Sequence, residues 1–227
     1  MATRPGEVFH TDIGVLPIAS FSGYRYFIVF VDEYTRYVFT FLMRKRDEVY
    51  HVYEDLRRKV RYKIKYIYTV VSEYDDEIKR VQSDNGKEYE KLARIIVKYG
   101  TRFRFTQAYT PQQNGMAERR IRMVMEKALC LLFEGHLSGA LWGEAVMTST
   151  YLINLTPSAA IDMRSPYLLW HNCLPRINKL QDRSGYMLLR LLDCEVIHSR
   201  DVKFNEDEFP RLADRVLSAL PDERQRT

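Results

Sequence analysis

Three acidic residues stand at positions that single them out for chemistry. Asp12 falls in the middle of a predicted strand, where aspartate is disfavoured, and Asp84 ends another strand directly before an Asn-Gly turn. Glu118 falls in the first turn of a predicted helix, and steps of three and four residues place it on the same face as the apolar stripe that begins at Ile121. Because an unpaired buried charge is costly, a carboxylate on that face needs a partner.

Carboxylates from three different elements suit a pair of hard divalent cations. Such cations lie about 3.5–4 Å apart and keep coordination positions open to phosphate and water. Each residue also has an ordinary explanation. Asp12 fits an edge aspartate that faces solvent, Asp84 fits a turn aspartate, and Glu118 fits a helix-terminal glutamate favoured by the helix dipole.

The elements that must position these residues alternate between strands and helices. Strands are predicted over residues 7–16, 26–32, 37–43, 78–84 and 102–106, the last at a sheet edge. Helices are predicted over residues 47–63, 89–99, 115–134 and 138–155, with a short one over 165–170. The first three strands have short connections and form an antiparallel meander. The pattern predicts an α/β fold with a five-stranded mixed sheet flanked by helices.

Composition narrows the function classes without selecting one. The chain has 227 residues, a net charge of +5 and a pI near 9.0, which permits nucleic-acid binding without requiring it. No apolar run approaches the roughly 18 residues of a membrane span, and no secretory signal opens the sequence, so we expect an intracellular protein. The basic residues of the first helix form either a solvated face or a phosphate-contacting one. Scattered cysteines and histidines argue against disulfides and structural zinc.

Longer motifs surround the three acidic residues and carry a resemblance. They are residues 10–13 (HTDI), 26–36 (YFIVFVDEYTR), 82–89 (QSDNGKEY), 109–119 (YTPQQNGMAER), 141–145 (LWGEA) and 151–158 (YLINLTPS). The chain resembles the catalytic core of retroviral-type integrases, most closely the copia-type LTR retrotransposon branch of the RNase H-like polynucleotidyl transferase superfamily. The resemblance covers residues 6–175. It implies an RNase H-like fold and DNA 3′-end processing and strand transfer.

The resemblance also implies the roles of individual residues. Asp12, Asp84 and Glu118 fall on the family's D, D, E triad, where they would hold two Mg²⁺ ions, with Mn²⁺ as an alternative. Residues expected to contact nucleic acid are Lys87, Thr110, Gln112, Gln113, Asn114, Arg119 and Arg122. The implied partners are element-end and target DNA and further copies of the chain. The implied location is the nucleus.

Several features depart from the family pattern. The family's His/Cys zinc module has no counterpart before Gly6, Lys87 replaces a usual glycine, and Ile121 replaces a usual asparagine. We expect a core over residues 1–160, a helical extension with an incomplete SH3-like β remnant over 161–204, and a charged flexible tail over 205–227. Residues 186–198 are expected to supply one or two strands. The alternative to an active integrase is an inactive or domesticated nucleic-acid-binding remnant of a transposable element.

Overall fold

The fold centres on one five-stranded sheet. The computed structural model describes residues 2–67, 78–106 and 114–175 and two further strands at 186–189 and 196–199. Strands β1 (Val8–Val15), β2 (Tyr26–Asp32) and β3 (Val38–Met43) form an antiparallel meander, and β4 (Arg80–Ser83) and β5 (Arg102–Phe105) continue the sheet in parallel. The order β3-β2-β1-β4-β5 confirms the predicted mixed sheet and leaves β5 at one edge.

Five α-helices flank this sheet in the described ranges. They are α1 (Val49–Ile67), α2 (Lys87–Ile96), α3 (Gly115–Glu134), α4 (Trp142–Leu155) and α5 (Pro166–His171). Helix α1 continues beyond the predicted end at residue 63, and α2 begins two residues earlier than predicted. Gly100 closes the turn after α2 with a φ of 74°, the left-handed conformation expected at this position.

The sheet has a hydrophobic core on each face, and each core is covered by a different set of helices. Helices α1, α2 and α5 cover one face, where Phe9 and Tyr53 are fully buried. Helices α3 and α4 cover the other face, where Val29 and Val124 are fully buried. Because strand residues alternate in direction, Asp12, paired with Val29, lies on the face covered by α3.

The edge strand β3 is covered by α4. The Val38 amide donates to Asn154 Oδ1 at 2.8 Å, and Asn154 Nδ2 donates to the Val38 carbonyl at 2.8 Å. A hydrogen bond of 2.7 Å joins the hydroxyls of Thr40 and Thr150. These contacts satisfy polar groups on a strand that would otherwise offer a pairing edge.

The basic residues of α1 contact neighbouring groups of the protein. Arg57 lies over the Tyr99 ring at 3.9 Å, Lys59 lies over the Phe41 ring at 4.6 Å, and Lys63 Nζ donates to the His171 carbonyl. These contacts favour a structural role for part of this face over a phosphate-contacting one.

Beyond α5 the structure describes one further pair of strands. Strands β6 (Tyr186–Leu189) and β7 (Val196–Ser199) pair antiparallel, which confirms the prediction of strands over residues 186–198. The predicted tail over 205–227 lies outside the described residues. No helix in the described part of the chain has the length and apolar character needed to span a membrane.

Candidate functional site

The register of the sheet brings Asp12 and Asp84 to the same level. Strand β1 pairs with β4 through Val8 and Arg80 and through His10 and Gln82, an offset of 72 residues. The same offset separates Asp12 from Asp84, which directly follows the last residue of β4. Adjacent strands lie about 4.8 Å apart. The two aspartates therefore occupy neighbouring positions where β4 ends.

Helix α3 is tied to β1 one residue before Asp12. The buried Asn114 precedes the helix, and its Nδ2 donates to the Thr11 carbonyl at 3.4 Å. The amide of Glu118 donates to the Asn114 carbonyl at 3.2 Å, so Glu118 belongs to the first turn. This anchor sets the first turn of α3 beside the strand that carries Asp12.

The environment of Asp12 shows that the acidic residues act on one another. Burial and the negative charges of Asp84, Glu118 and Glu88 raise the pKa of Asp12 to about 6, although the Ile13 amide donates to Oδ1 at 2.8 Å. Within the described residues Asp12, Asp84 and Glu118 form no ion pair. Asp84 and Glu118 are each close enough to Asp12 for their charges to act on it.

The placement of Glu118 on the buried face of its helix was wrong. The buried residues of α3 include Ala117 and Val124, whereas Glu118 is exposed. In the first turn of α3 the apolar stripe includes Ala117 rather than position 118, because Ala117 is the residue that packs against the sheet. Glu118 therefore lies beside the core and remains open to solvent.

A fourth carboxylate, Glu88, was not singled out from the sequence. It lies in the first turn of α2 and forms an ion pair of 2.8 Å with Arg46, whose guanidinium lies 5.3 Å from the centre of the Tyr26 ring. The Glu88 carboxyl also folds over Gly86, where an added Cβ would meet it at 2.9 Å. The sequence signal that could have identified Glu88 is its position four residues after Asp84, at the start of a helix.

The donor chemistry of Asp12, Asp84 and Glu118 fits a hard divalent cation, because these three carboxylates have no cationic partner among the described residues and Mg²⁺ prefers oxygen ligands. As their side chains stand, however, no three His, Cys, Asp or Glu residues of the described ranges are grouped closely enough to hold a metal ion. Glu118 and Asp84 are both exposed, so their side chains have room to change rotamer when a cation binds.

The residues predicted to contact nucleic acid fall into three groups. Lys87, Arg119 and Arg122 are exposed, Lys87 at the start of α2 and the arginines on α3. Asn114 is 2% exposed, so its observed contact is with β1. Thr110, Gln112 and Gln113 lie outside the described residues.

Comparison with known proteins places this geometry in context. Residues 2–111 match the family model described as integrase core domain, a segment that includes Asp12 and Asp84 and ends before Glu118. The chain is 31% identical over 243 residues to the retrovirus-related Pol polyprotein from transposon TNT 1-94 of Nicotiana tabacum and 25% identical over 241 residues to that from transposon RE1 of Arabidopsis thaliana. The alignments cover 92% of this chain but 18% and 16% of those proteins, so the chain spans under a fifth of these curated relatives.

Solved structures share the fold. A chain in the cryoEM structure of the simian T-cell lymphotropic virus intasome in complex with PP2A regulatory subunit B56 gamma aligns with a TM-score of 0.54 at 14% identity, covering 83% of this chain and 62% of that one. The HTLV-2 integrase catalytic core domain in complex with magnesium, in its dimeric form, aligns with a TM-score of 0.53 at 12% identity, covering 75% of this chain and 99% of that one. These likenesses confirm the RNase H-like fold class.

Proposed function

We propose, from the premise that this chain belongs through residues 2–111 to the integrase core domain family, that it carries out metal-dependent DNA 3′-end processing and strand transfer for a retrotransposon. The observation that carries the proposal is the electrostatic convergence on Asp12. Its pKa is raised to about 6 by burial and by acidic neighbours that include Asp84 and Glu118. A fold with no use for these charges would gain stability by separating them.

Asp12, Asp84 and Glu118 would hold the cations in this proposal. Asp12, on the central strand, would serve both ions, whereas Asp84 and Glu118 would each serve one. Two Mg²⁺ ions bound there would lower the pKa of an attacking water or DNA 3′-hydroxyl and stabilise the leaving oxyanion. The protein need supply no nucleophile of its own. It fixes the carboxylates on the sheet and on α3.

The DNA-contacting surface would surround these carboxylates. Lys87 is exposed at the start of α2, three residues after Asp84. Arg119 and Arg122 are exposed on α3, the helix that carries Glu118. Cationic side chains at these positions can contact phosphates. We keep Thr110, Gln112 and Gln113 in this surface as a proposal from their motif, and assign the buried Asn114 the role of fixing the start of α3 beside it. Assembly into homo-oligomers, a nuclear location and the boundaries at residues 160 and 204 are likewise proposals.

A disintegration assay on branched DNA tests the function, because it requires the chemistry of strand transfer without assembly on two DNA ends. The wild-type chain should resolve the branched substrate with Mg²⁺ or Mn²⁺. Glu118→Gln should abolish the reaction, whereas Glu126→Gln, an exposed change on the same helix, should leave it unchanged. Equal rates in wild type and Glu118→Gln would refute the assignment.

A second candidate is a nucleic-acid-binding remnant without activity. The absence of a ready three-residue metal group among the described side chains favours it. This candidate predicts that the wild-type chain binds DNA in chelator and gives no product with either metal. The same assay therefore separates the two.

A further inference from the structure

Arg36 holds an unusual backbone conformation in the turn between β2 and β3. Its φ is 63°, in the left-handed region that a non-glycine residue adopts at some cost. Its Nη1 donates to the Met116 sulfur at 2.9 Å, and its buried Nε has no hydrogen-bond partner. A thioether is a weak acceptor, so this guanidinium is held in place with most of its donor capacity unused.

Arg120, on α3, is a second arginine whose described hydrogen-bond partner is a weak acceptor. It is half-buried, and its described hydrogen bond goes to the Met123 sulfur at 3.6 Å. Arg120 follows Met116 by four residues on α3, so the two side chains lie on the same face of the helix, and Arg36, which contacts Met116, adjoins Arg120. Within the described ranges neither Arg36 nor Arg120 forms an ion pair.

The acidic residues beside the β2–β3 turn are already engaged elsewhere. Asp32 accepts hydrogen bonds from the Gly6 amide and from the amide and hydroxyl of Thr35. Glu33 bonds to the Ala2 amide and to His10 Nε2, at 2.7 and 2.9 Å. No carboxylate of this turn is left to neutralise the arginines. Partly buried cations without an acidic partner are costly unless an anion binds them.

The arginines lie next to the proposed catalytic carboxylates. Arg36 contacts Met116 in the first turn of α3, the turn that also carries Glu118. The same helix start is tied to the strand of Asp12, because Asn114 Nδ2 donates to the Thr11 carbonyl. Arg36 and the carboxylates therefore meet at the start of α3, and Arg120 extends this basic surface along the helix.

We propose that Arg36 and Arg120 form a subsite for one phosphodiester group of the DNA backbone, beside the carboxylates that act on the neighbouring phosphate. The proposal rests on the proposed function and adds to it a backbone contact from the β2–β3 turn. Arginine suits this task because its planar guanidinium pairs with phosphate in a bidentate manner. Contact with the Met116 sulfur holds Arg36 against the start of α3, and the unused donors remain for the phosphate oxygens.

Fluorescence anisotropy with a short fluorescein-labelled DNA duplex, in EDTA and over a series of salt concentrations, tests the proposal. Arg120→Gln and Arg36→Gln should each bind roughly tenfold more weakly than wild type and lower the slope of log K against log salt by about one. Arg94→Gln, an exposed arginine in the last turn of α2, makes the same charge change and should reduce affinity far less.

Thermal melting without DNA distinguishes a phosphate subsite from a structural role. A subsite predicts that Arg120→Gln melts no lower than wild type, because the change removes an uncompensated cation. A lower melting temperature, or affinities equal to that of Arg94→Gln, overturns the proposal. If Arg120→Gln fails to fold, the affinity of Arg36→Gln for the duplex, compared with that of Arg94→Gln, tests the subsite instead. The subsite alone is refuted if both variants bind the duplex as wild type does and wild type is active in the disintegration assay. The proposed function is refuted as well if wild type neither binds the duplex nor reacts.

Discussion

Replacing Asp12 by asparagine should stabilise the protein in the absence of metal. The pKa of Asp12 rises from 3.8 to about 6, so its ionised form is disfavoured in the folded state relative to the unfolded chain. Each pKa unit corresponds to about 1.4 kcal/mol, which sets an upper limit of about 3 kcal/mol for the gain at neutral pH. For a chain of this size the melting temperature should rise by at most roughly 6–12 °C.

The pH dependence fixes the sign of this effect. Because the folded state holds the Asp12 proton more tightly, the wild-type free energy of unfolding falls as pH rises from about 4 to about 6. The difference between Asp12→Asn and wild type should therefore vanish below about pH 4 and be complete above about pH 6. Thermal melting in EDTA across this range measures it.

A matched control variant tests whether the loss of any negative charge has the same effect on the melting temperature. Asp162→Asn removes one negative charge from a side chain that is 89% exposed, at a left-handed position that asparagine tolerates. It should leave the melting temperature nearly unchanged at every pH. The reasoning is refuted if Asp12→Asn melts at or below the wild-type temperature at neutral pH in chelator.

Two further predictions concern side chains that build the fold. Thr35→Val should lower the free energy of unfolding by about 2 kcal/mol, because the buried Asp32 carboxylate loses the hydroxyl that donates to it and the Tyr37 amide loses its acceptor; urea denaturation measures the loss, and equal or higher stability would contradict it. Asn154→Ala should cost about 2 kcal/mol in the same assay, because the amide and carbonyl of Val38 lose their partner; a change within experimental error would show that the α4 contact with β3 is dispensable.

Sequence periodicity was sufficient to predict the sheet and its helices, because each element has a strong local pattern. The continuous apolar run of β2 and the Ser-Pro start of α5 are examples, and in the structure Ser165 accepts a hydrogen bond from the Leu168 amide. The register between β1 and β4 was not readable from pattern. Once the structure supplies that register, the 72-residue spacing of the two aspartates becomes a statement about their proximity.

The features that the sequence did not reveal depend on tertiary contacts. Ala117 rather than Glu118 faces the sheet because Asn114 fixes the rotation of α3 against Thr11. The position of Glu88 near Asp12 depends on where α2 begins and on the ion pair with Arg46, which lies 42 residues away in the chain. Such long-range pairings leave no local pattern of hydrophobicity or turn residues from which to infer them.

Melting in a Mg²⁺ titration tests most directly the central claim that three carboxylates meet at one cation site. Wild type should gain about 1.4 kcal/mol of stability when Mg²⁺ exceeds its dissociation constant tenfold. Asp12→Asn, Asp84→Asn and Glu118→Gln should each lose most of that gain, whereas Glu126→Gln should keep it. A wild type that Mg²⁺ does not stabilise, or variants that keep the full gain, would contradict the account.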